Sequence, residues 1–238
     1  MNLAIIGYGK MGKTIERIAI DRGHQIVAKI DKNEDEDISV LADKQADVAI
    51  EFTEPSSAFS NLKYCIEHNI PVVSGTTGWL SNYKELCKIC EQENGAFFYA
   101  SNFSVGVNLF FKLNQLLAKL MSQHNYTVKI DETHHTQKKD APSGTAITLA
   151  EGILAQIKDY NGWALKEDAS KDNLPIESFR IDSVPGTHEI TYHSDIDDIS
   201  IKHTAHSREG FAQGAVLAAE WLKDKTGVFS MEDMLKIG

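Results

Sequence analysis

Two imidazoles, two ammonium groups and a helix start share one short segment, Glu132-Thr133-His134-His135-Thr136-Gln137-Lys138-Lys139-Asp140-Ala141-Pro142-Ser143-Gly144-Thr145-Ala146. Imidazole titrates near neutrality, so His134 and His135 can give or take a proton under ordinary conditions. From Asp140 onward the segment reads as a helix start, with Pro142 near the first turn. The N–H groups of Gly144 and Thr145 then have no preceding turn to bond to. Such a terminus carries partial positive charge and holds a carboxylate well. The array suits a small dianion whose reaction needs a proton delivered. Taken alone, the same residues also fit a surface histidine pair beside a solvated Lys138-Lys139.

A second chemical signal opens the chain. Gly7-Tyr8-Gly9-Lys10-Met11-Gly12 is a G-x-G-x-x-G loop that follows Leu3-Ala4-Ile5-Ile6 and opens a helical pattern of Met11, Ile15, Ile18 and Ala19. Glycines in that setting let the backbone turn tightly and approach a pyrophosphate, whose charge the helix N-terminus stabilises. Asp31, 19 residues beyond Gly12, ends a second strand-like run and can accept both ribose hydroxyls of NAD. Lys32 beside it can instead pair with the 2′-phosphate of NADP, which the acidic run Glu34-Asp35-Glu36-Asp37 opposes if it folds nearby. NADH and NADPH both stay open as hydride donors. Gly75-Thr76-Thr77-Gly78 and Ala100-Ser101-Asn102-Phe103 each follow a further strand-like run. Loops at the carboxyl ends of parallel strands line the ligand crevice, so Gly75, Thr76, Thr77, Ala100, Ser101, Asn102 and Phe103 are candidate cofactor residues.

These groups need a frame, and the hydropathy pattern supplies one. Residues 3–6, 26–30, 48–52, 71–73 and 96–99 are apolar strand-like runs. Helical patterns lie between them, one with Phe59, Leu62 and Ile66 and another with Leu80, Tyr83, Leu86, Cys87 and Cys90. Strands alternating with helices pair in parallel through right-handed crossovers. The expectation is α/β: a Rossmann-like doubly wound parallel sheet over residues 1–103.

After Asn102 the rhythm changes. A helix over about 105–122 carries Leu109, Phe110, Leu113, Leu116, Leu117 and Leu120 on one stripe, the signature of a core-facing helix. Tyr126, Val128 and Ile130 alternate with polar residues in a half-solvated strand, and a second helix carries Ala146, Leu149, Ala150, Ile153, Leu154 and Ile157. Residues 159–175 read as a polar surface connection. Strand-like runs at 178–184, 188–193 and 199–204 then point to an open, mixed or largely antiparallel sheet backed by two helices. That makes an α+β domain over 104–206. A last helix, 211–222, and the tail fit either half.

The chain has 238 residues, 24 Lys plus Arg against 34 Asp plus Glu, and a formal charge of −10. That acidic balance argues against a general nucleic-acid or anionic-membrane binder, whose footprint is basic. No apolar run approaches the roughly 20 residues needed to span a bilayer, and the N-terminus does not read as a signal peptide. Cys65, Cys87 and Cys90 are too few for a disulfide framework, and Cys87-x-x-Cys90 has no second pair for a zinc site. They read as helix cysteines in a reducing, cytoplasmic compartment. His203-x-x-His206 with His188 and His193 has no cysteine or paired carboxylate at ligand spacing, so no metal is expected. Gly186 and His188 can face the pocket and Arg208 can bridge domains, but no role is assigned to them.

His134-His135-x-x-Lys138-x-Asp140-Ala141-Pro142-Ser143-Gly144-Thr145-Ala146 closely resembles the signature of the 4-hydroxy-tetrahydrodipicolinate reductases, also called dihydrodipicolinate reductases. Glu51-Phe52-Thr53, Gly75-Thr76-Thr77-Gly78, Asn102-Phe103-Ser104-Val105-Gly106-Val107-Asn108 and Ser207-Arg208-x-x-Phe211-Ala212-x-Gly214-Ala215 match the family in order. The likeness thus spans nearly the whole chain. Two features depart from it. The glycine loop is one residue shorter than the G-x-x-G-x-x-G of many members, and Thr136 and Gln137 stand where more basic residues are common.

The resemblance implies NADH- or NADPH-dependent reduction of 4-hydroxy-2,3,4,5-tetrahydrodipicolinate to 2,3,4,5-tetrahydrodipicolinate and water, in lysine synthesis through diaminopimelate. It implies His134 as the acid/base residue and Lys138 as the proton donor. His135 would contact the small dicarboxylate substrate, and the Gly144 and Thr145 amides would hold one of its carboxylates. Gly7, Tyr8, Gly9, Lys10, Met11, Gly12, Asp31, Lys32, Gly75, Thr76, Thr77, Ala100, Ser101, Asn102 and Phe103 would form the cofactor site. It implies as well that residues 207–238 return to the first domain and that a homotetramer forms through the second domain's sheet. Cofactor and acid/base motifs lie on opposite sides of residue 103, so a hinge near 103 and 207 is expected to close on the ternary complex. Two other readings stand beside this one. A dehydrogenase of another small imino or keto acid is disfavoured by the Lys138-to-Thr145 signature, and a non-catalytic nucleotide sensor has no need of His134 and Lys138.

Overall fold

The computed structural model describes residues 1–31, 37–207 and 209–237. Lys32, Glu34, Asp35, Glu36 and Arg208 lie outside the described residues. The chain divides into two compact units, Met1–Val105 with Glu209–Gly238, and Gly106–Arg208.

The first unit begins β1 (Asn2–Ile6), α1 (Lys10–Asp21), β2 (Gln25–Ile30), β3 (Val48–Glu51), α2 (Pro55–Glu67), β4 (Val72–Ser74), α3 (Tyr83–Gln92) and β5 (Ala96–Tyr99). The second holds nearly all of α4 (Val105–Met121), then β6 (Thr127–His134), α5 (Gly144–Leu154), β7 (Gly162–Leu165), β8 (Asn173–Arg180), β9 (Gly186–His193) and β10 (Asp198–Ala205). The chain then returns to the first unit as α6 (Glu209–Leu222), β11 (Gly227–Phe229) and α7 (Met231–Leu235).

In the first unit six strands run parallel in the order β11-β5-β4-β3-β1-β2. The chain reverses its direction of travel across the sheet between β1 and β3, which is where such folds open a ligand crevice. Leu3 and Ile5 of β1 face one core with residues of α1 and α6, while Ala4 and Ile6 face another with residues of α2 and α3. Both faces are covered, so the strand is apolar at every position rather than at alternate ones. The α6 helix lies directly on the loop after β5: a β-carbon on Gly214 would stand 1.7 Å from the Phe103 carbonyl oxygen. The tail also supplies β11, an edge strand beside β5.

The second sheet has the order β10-β9-β6-β8-β7. Its β10/β9 and β9/β6 pairs are antiparallel, its β6/β8 and β8/β7 pairs parallel. The sheet is therefore evenly mixed rather than largely antiparallel. The segment 159–175, expected as a surface connection, contains β7 and the first residues of β8, whose turn-forming Asn161, Gly162 and Pro175 mask them. The run expected at 178–184 starts at Asn173 instead.

The leucine stripe of α4 is a further correction. Leu109, Leu113, Leu116 and Leu120 are 47%, 48%, 51% and 69% exposed within the single chain. The helix instead buries Val107, Phe110, Asn114, Ala118 and Met121. That face meets α5 at Asn114, whose Nδ2 donates to the Leu149 carbonyl at 2.9 Å, and a β-carbon on Gly152 would stand 3.2 Å from the same Nδ2. Of the cysteines, Cys65 and Cys90 are buried and Cys87 half-buried, all as free thiols. No helix among the described residues is long and apolar enough to cross a membrane.

Candidate active site

The glycine loop between β1 and α1 gives each glycine a different duty. Gly7 has φ +93°, and a β-carbon there would stand 2.0 Å from the Phe52 carbonyl oxygen. Only glycine takes that turn without strain. A β-carbon on Gly12 would stand 2.2 Å from the Gly7 carbonyl, so helix and strand meet only through hydrogen. Gly9 differs: it is the α1 N-cap, has no side-chain cap, and its β-carbon position has nothing within 4 Å. Open backbone N–H groups at a helix start are what a pyrophosphate requires.

The other candidate cofactor loops converge there. Thr53 N–H donates to Thr76 Oγ1 at 2.7 Å, and a β-carbon on Gly75 would overlap the Phe52 ring at 2.1 Å. Phe103 is buried with its ring 5.7 Å from Phe52 and 5.8 Å from Phe98. Glu51, fully buried at the end of β3, ties these loops together. It accepts from Ser74 Oγ at 2.6 Å, Thr76 Oγ1 at 2.8 Å and both Thr53 groups. Asp31, at the end of β2, accepts from the Tyr8 N–H at 2.8 Å. The phenol of Tyr8 bonds Glu16 and receives Lys29 Nζ at 3.2 Å. Thr76 and Ala100 are buried, Met11 and Asn102 half-buried, and Lys10, Thr77 and Ser101 exposed. The uncovered α1 start at Gly9 and the Asp31 carboxylate at the end of β2 fit a dinucleotide. Lys32 lies outside the described residues.

The second site grows out of the second sheet's core face. Along β6, Val128 and Ile130 bury into the helices, and the same alternation carries Glu132 and His134 onto that face. Along β8, Leu174 and Ile176 lead to Ser178 and Arg180; along β9, His188 precedes Ile190 and Tyr192. Register pairs Glu132 with both Ser178 and His188, and His134 with Arg180. Each strand is thus apolar at one end and polar at the end that leads to α5.

Ser143, the α5 N-cap, accepts from the Ala146 N–H at 3.2 Å. Gly144 and Thr145 begin the helix, and the β-carbon position of Gly144 opens onto empty space. Their N–H groups have no acceptor within the helix. Lys138 is held by both Asp140 oxygens at 2.8 and 2.9 Å, and this contact keeps the Asp140 carboxyl below the usual carboxylate range. His134 is nearly buried, and loss of solvent pushes its pKa down to about 4 against the opposing pull of Glu132. At neutral pH it is therefore an uncharged imidazole. His135, one residue beyond, is half-buried.

Four residues to which the sequence motifs assign no role belong to this site: Glu132, Arg180, Ser143 of the signature, and His188, expected only to face the pocket. Glu132 has no exposed surface; burial would raise its pKa, but hydrogen bonds from His188, Ser143 and Ser178 hold it well below the usual carboxylate range. His188 Nε2 lies 3.1 Å from Ser143 Oγ, and its ring meets that of His134 edge-on at 5.1 Å. Period-two alternation from Val128 and Ile130 is the signal that marks Glu132 as inward-facing. One ligand atom from each of Glu132, His134 and His188 falls within 4.8 Å of the others, a spacing a metal could use. Arg180 Nη2 nevertheless stands 3.4 Å from Glu132, whose oxygens already accept from Ser143 and Ser178. The donor set suits a hydrogen-bonded anion, and no metal is assigned. Of the other histidines, His193 pairs with Asp198 at 2.6 Å on the surface, His206 is exposed, and His203 lies against Phe110.

Residues 1–103 match the family model for the dihydrodipicolinate reductase N-terminus, and residues 106–235 match that for its C-terminus. The 4-hydroxy-tetrahydrodipicolinate reductase of Christiangramia forsetii is 56% identical over 236 residues, covering 99% of this chain and 98% of that protein. Its counterpart from Clostridium novyi is 37% identical, covering 96% and 95%. Among solved structures, a dipicolinate-bound dihydrodipicolinate reductase from Paenisporosarcina sp. TG-14 superposes with a TM-score of 0.83 at 24% identity, covering 98% of each chain. A probable dehydrogenase from Thermotoga maritima shares the fold at a TM-score of 0.63 and 10% identity, covering 100% of this chain and 93% of that one. Both halves of the chain match one family and its relatives align with it end to end, so the chain is an oxidoreductase of the dihydrodipicolinate reductase family.

Proposed function

We propose that the protein reduces 4-hydroxy-2,3,4,5-tetrahydrodipicolinate to 2,3,4,5-tetrahydrodipicolinate and water with NADH or NADPH, the first unit holding the nucleotide and the second the dicarboxylate. The observation that carries this reading is that Glu132 joins His134 to Ser143 at the α5 N-cap, while Arg180 joins the same carboxylate to the backbone of Lys138 and Asp140.

The nicotinamide supplies the hydride. The chain's own residues do the rest. Gly7, Gly9 and Gly12 bring the α1 N-terminus to the pyrophosphate, and Asp31 accepts from ribose. Thr76, Thr77, Ala100, Ser101, Asn102 and Phe103, with Gly75, line the crevice for the flat ring. In the second unit the Gly144 and Thr145 amides take one substrate carboxylate, with His135 as a further contact. Loss of water from the substrate leaves a conjugated ring system, and hydride addition at a ring carbon builds negative charge that a proton must quench. His134 is uncharged at neutral pH, so the Lys138 ammonium, steadied by Asp140, holds the available proton. His134 aligns that transfer as acid/base partner within about 3 Å of the reacting atoms.

Homotetramer formation is part of the proposal. The second sheet's face opposite α4 and α5 is polar, with the Lys129–Asp131 and Lys202–Glu189 pairs at 2.7 and 3.1 Å, and offers the surface on which copies can meet. Mass measurement in solution tests it. The reaction itself is tested with NADH and freshly made upstream synthase product, followed by absorbance.

A further inference from the structure

We propose that Glu132 is a positioning residue: one buried carboxylate that holds the α5 terminus, the Lys138 loop and His134 in mutual register for the dicarboxylate. The inference rests on the function proposed above. Nothing in the reaction requires Glu132 to touch substrate, and it has no exposed surface with which to do so. Its contacts account for it instead.

Three routes leave this carboxylate, all within the second unit. The first goes to α5. Ser143 N–H donates to both Glu132 oxygens, at 3.1 and 3.2 Å, which fixes the residue just before Gly144 and Thr145. Ser143 Oγ meanwhile caps the helix through Ala146 and meets His188 Nε2, so the terminus is gripped from two sides. The second goes through Arg180. Its Nη2 stands 3.4 Å from Glu132 Oε1 and donates to the Asp140 carbonyl at 2.6 Å, while its Nε donates to the Lys138 carbonyl at 3.3 Å. Docked on Glu132, the guanidinium clamps the backbone on both sides of the Lys138–Asp140 pair. The third is direct: Glu132 Oε2 lies 3.4 Å from His134 Nδ1, a buried ring nitrogen with no hydrogen-bond partner of its own in this structure. Ser178 Oγ, at 2.8 Å, completes the set and anchors the carboxylate to β8.

An unpaired carboxylate at this depth would be costly, and so would an unpaired Arg180. The cluster is stable only while all its members are placed, which is the property a positioning device needs. Removing the charge but keeping the shape should loosen the Lys138 loop and the α5 terminus without unfolding the sheet.

The test compares wild type, Glu132→Gln and Arg180→Lys for dipicolinate binding, NADH binding, steady-state rates and thermal melting. Glu132→Gln is expected to weaken dipicolinate and raise the substrate KM by about 10- to 100-fold, the usual cost of a misplaced subsite, with kcat falling less. NADH affinity should stay within about twofold, because the nucleotide residues lie in the other unit. Arg180→Lys keeps the charge but loses the planar fork, so it should reproduce the KM effect even if Glu132→Gln does not fold. Unchanged dipicolinate affinity in either folded variant overturns the proposal, as does an equal loss of NADH affinity. Wild type that fails to bind dipicolinate overturns the reductase reading along with it; wild type that binds while the variants bind equally well overturns this inference alone.

Discussion

The Tyr8 backbone N–H donates to Asp31 Oδ2 at 2.8 Å, fixing the carboxylate at the end of β2 against the glycine loop. A carboxylate held in that place favours ribose hydroxyls and repels a 2′-phosphate. Asp31→Ser is expected to raise the KM for NADH by roughly 10- to 100-fold, the worth of one or two hydrogen bonds to a charged group. It should also shift the ratio of kcat/KM values toward NADPH. Initial rates with each donor decide, and an unchanged ratio would remove Asp31 from the specificity site.

The glycine loop predicts opposite outcomes at neighbouring positions. Gly9→Ala puts a methyl group into space with no protein atom within 4 Å, so folding should be unaffected. The same methyl would stand where the pyrophosphate approaches, and NADH affinity should drop by about tenfold or more. Gly12→Ala meets the Gly7 carbonyl at 2.2 Å and should cost roughly 1–3 kcal/mol of stability. Thermal melts and NADH titrations separate the two. A Gly9→Ala protein that binds NADH normally would contradict the placement of the pyrophosphate.

His134 makes stability depend on acid. Its pKa is pushed down to about 4 in the folded chain, whereas an unfolded chain's imidazole titrates near 6.5. Between those values the unfolded state binds more protons, so stability is fully present above pH 6.5 and is lost as pH falls toward 4. At pH 5 the loss from this group is about 2 kcal/mol. Urea unfolding at pH 7.5 and pH 5 should therefore show a larger acid penalty in wild type than in His134→Gln, and equal penalties would mean that His134 is not desolvated.

The same imidazole should matter to turnover without touching the nucleotide. His134→Gln is expected to lower kcat by roughly 10²–10⁴ with NADH affinity nearly intact. Parallel loss of NADH binding would contradict its assignment to the substrate unit.

Much of this was legible in the residues. Parallel pairing in the first unit follows from strands apolar at every position, such as Leu3-Ala4-Ile5-Ile6, and the glycine loop is local chemistry that needs no tertiary information. The second unit was harder. Two apolar stripes run along α4, and only contact with α5 at Asn114 and Gly152 selects the one that is buried. Pro175 and Asn161-Gly162 disguise β7 and the start of β8, and with them the alternation that leads from Leu174 and Ile176 to Ser178 and Arg180. Glu132 sat in plain view inside the histidine segment. Its partners come from β8, β9 and α5, up to 56 residues away, and no local pattern reports them.

Turnover itself is the most direct measurement: NADH or NADPH mixed with the protein and freshly generated synthase product, with absorbance and product followed together. Nucleotide oxidation that requires both protein and that product, and yields tetrahydrodipicolinate one for one, is the predicted result. No oxidation with either donor, or oxidation that proceeds equally without the synthase product, would contradict it.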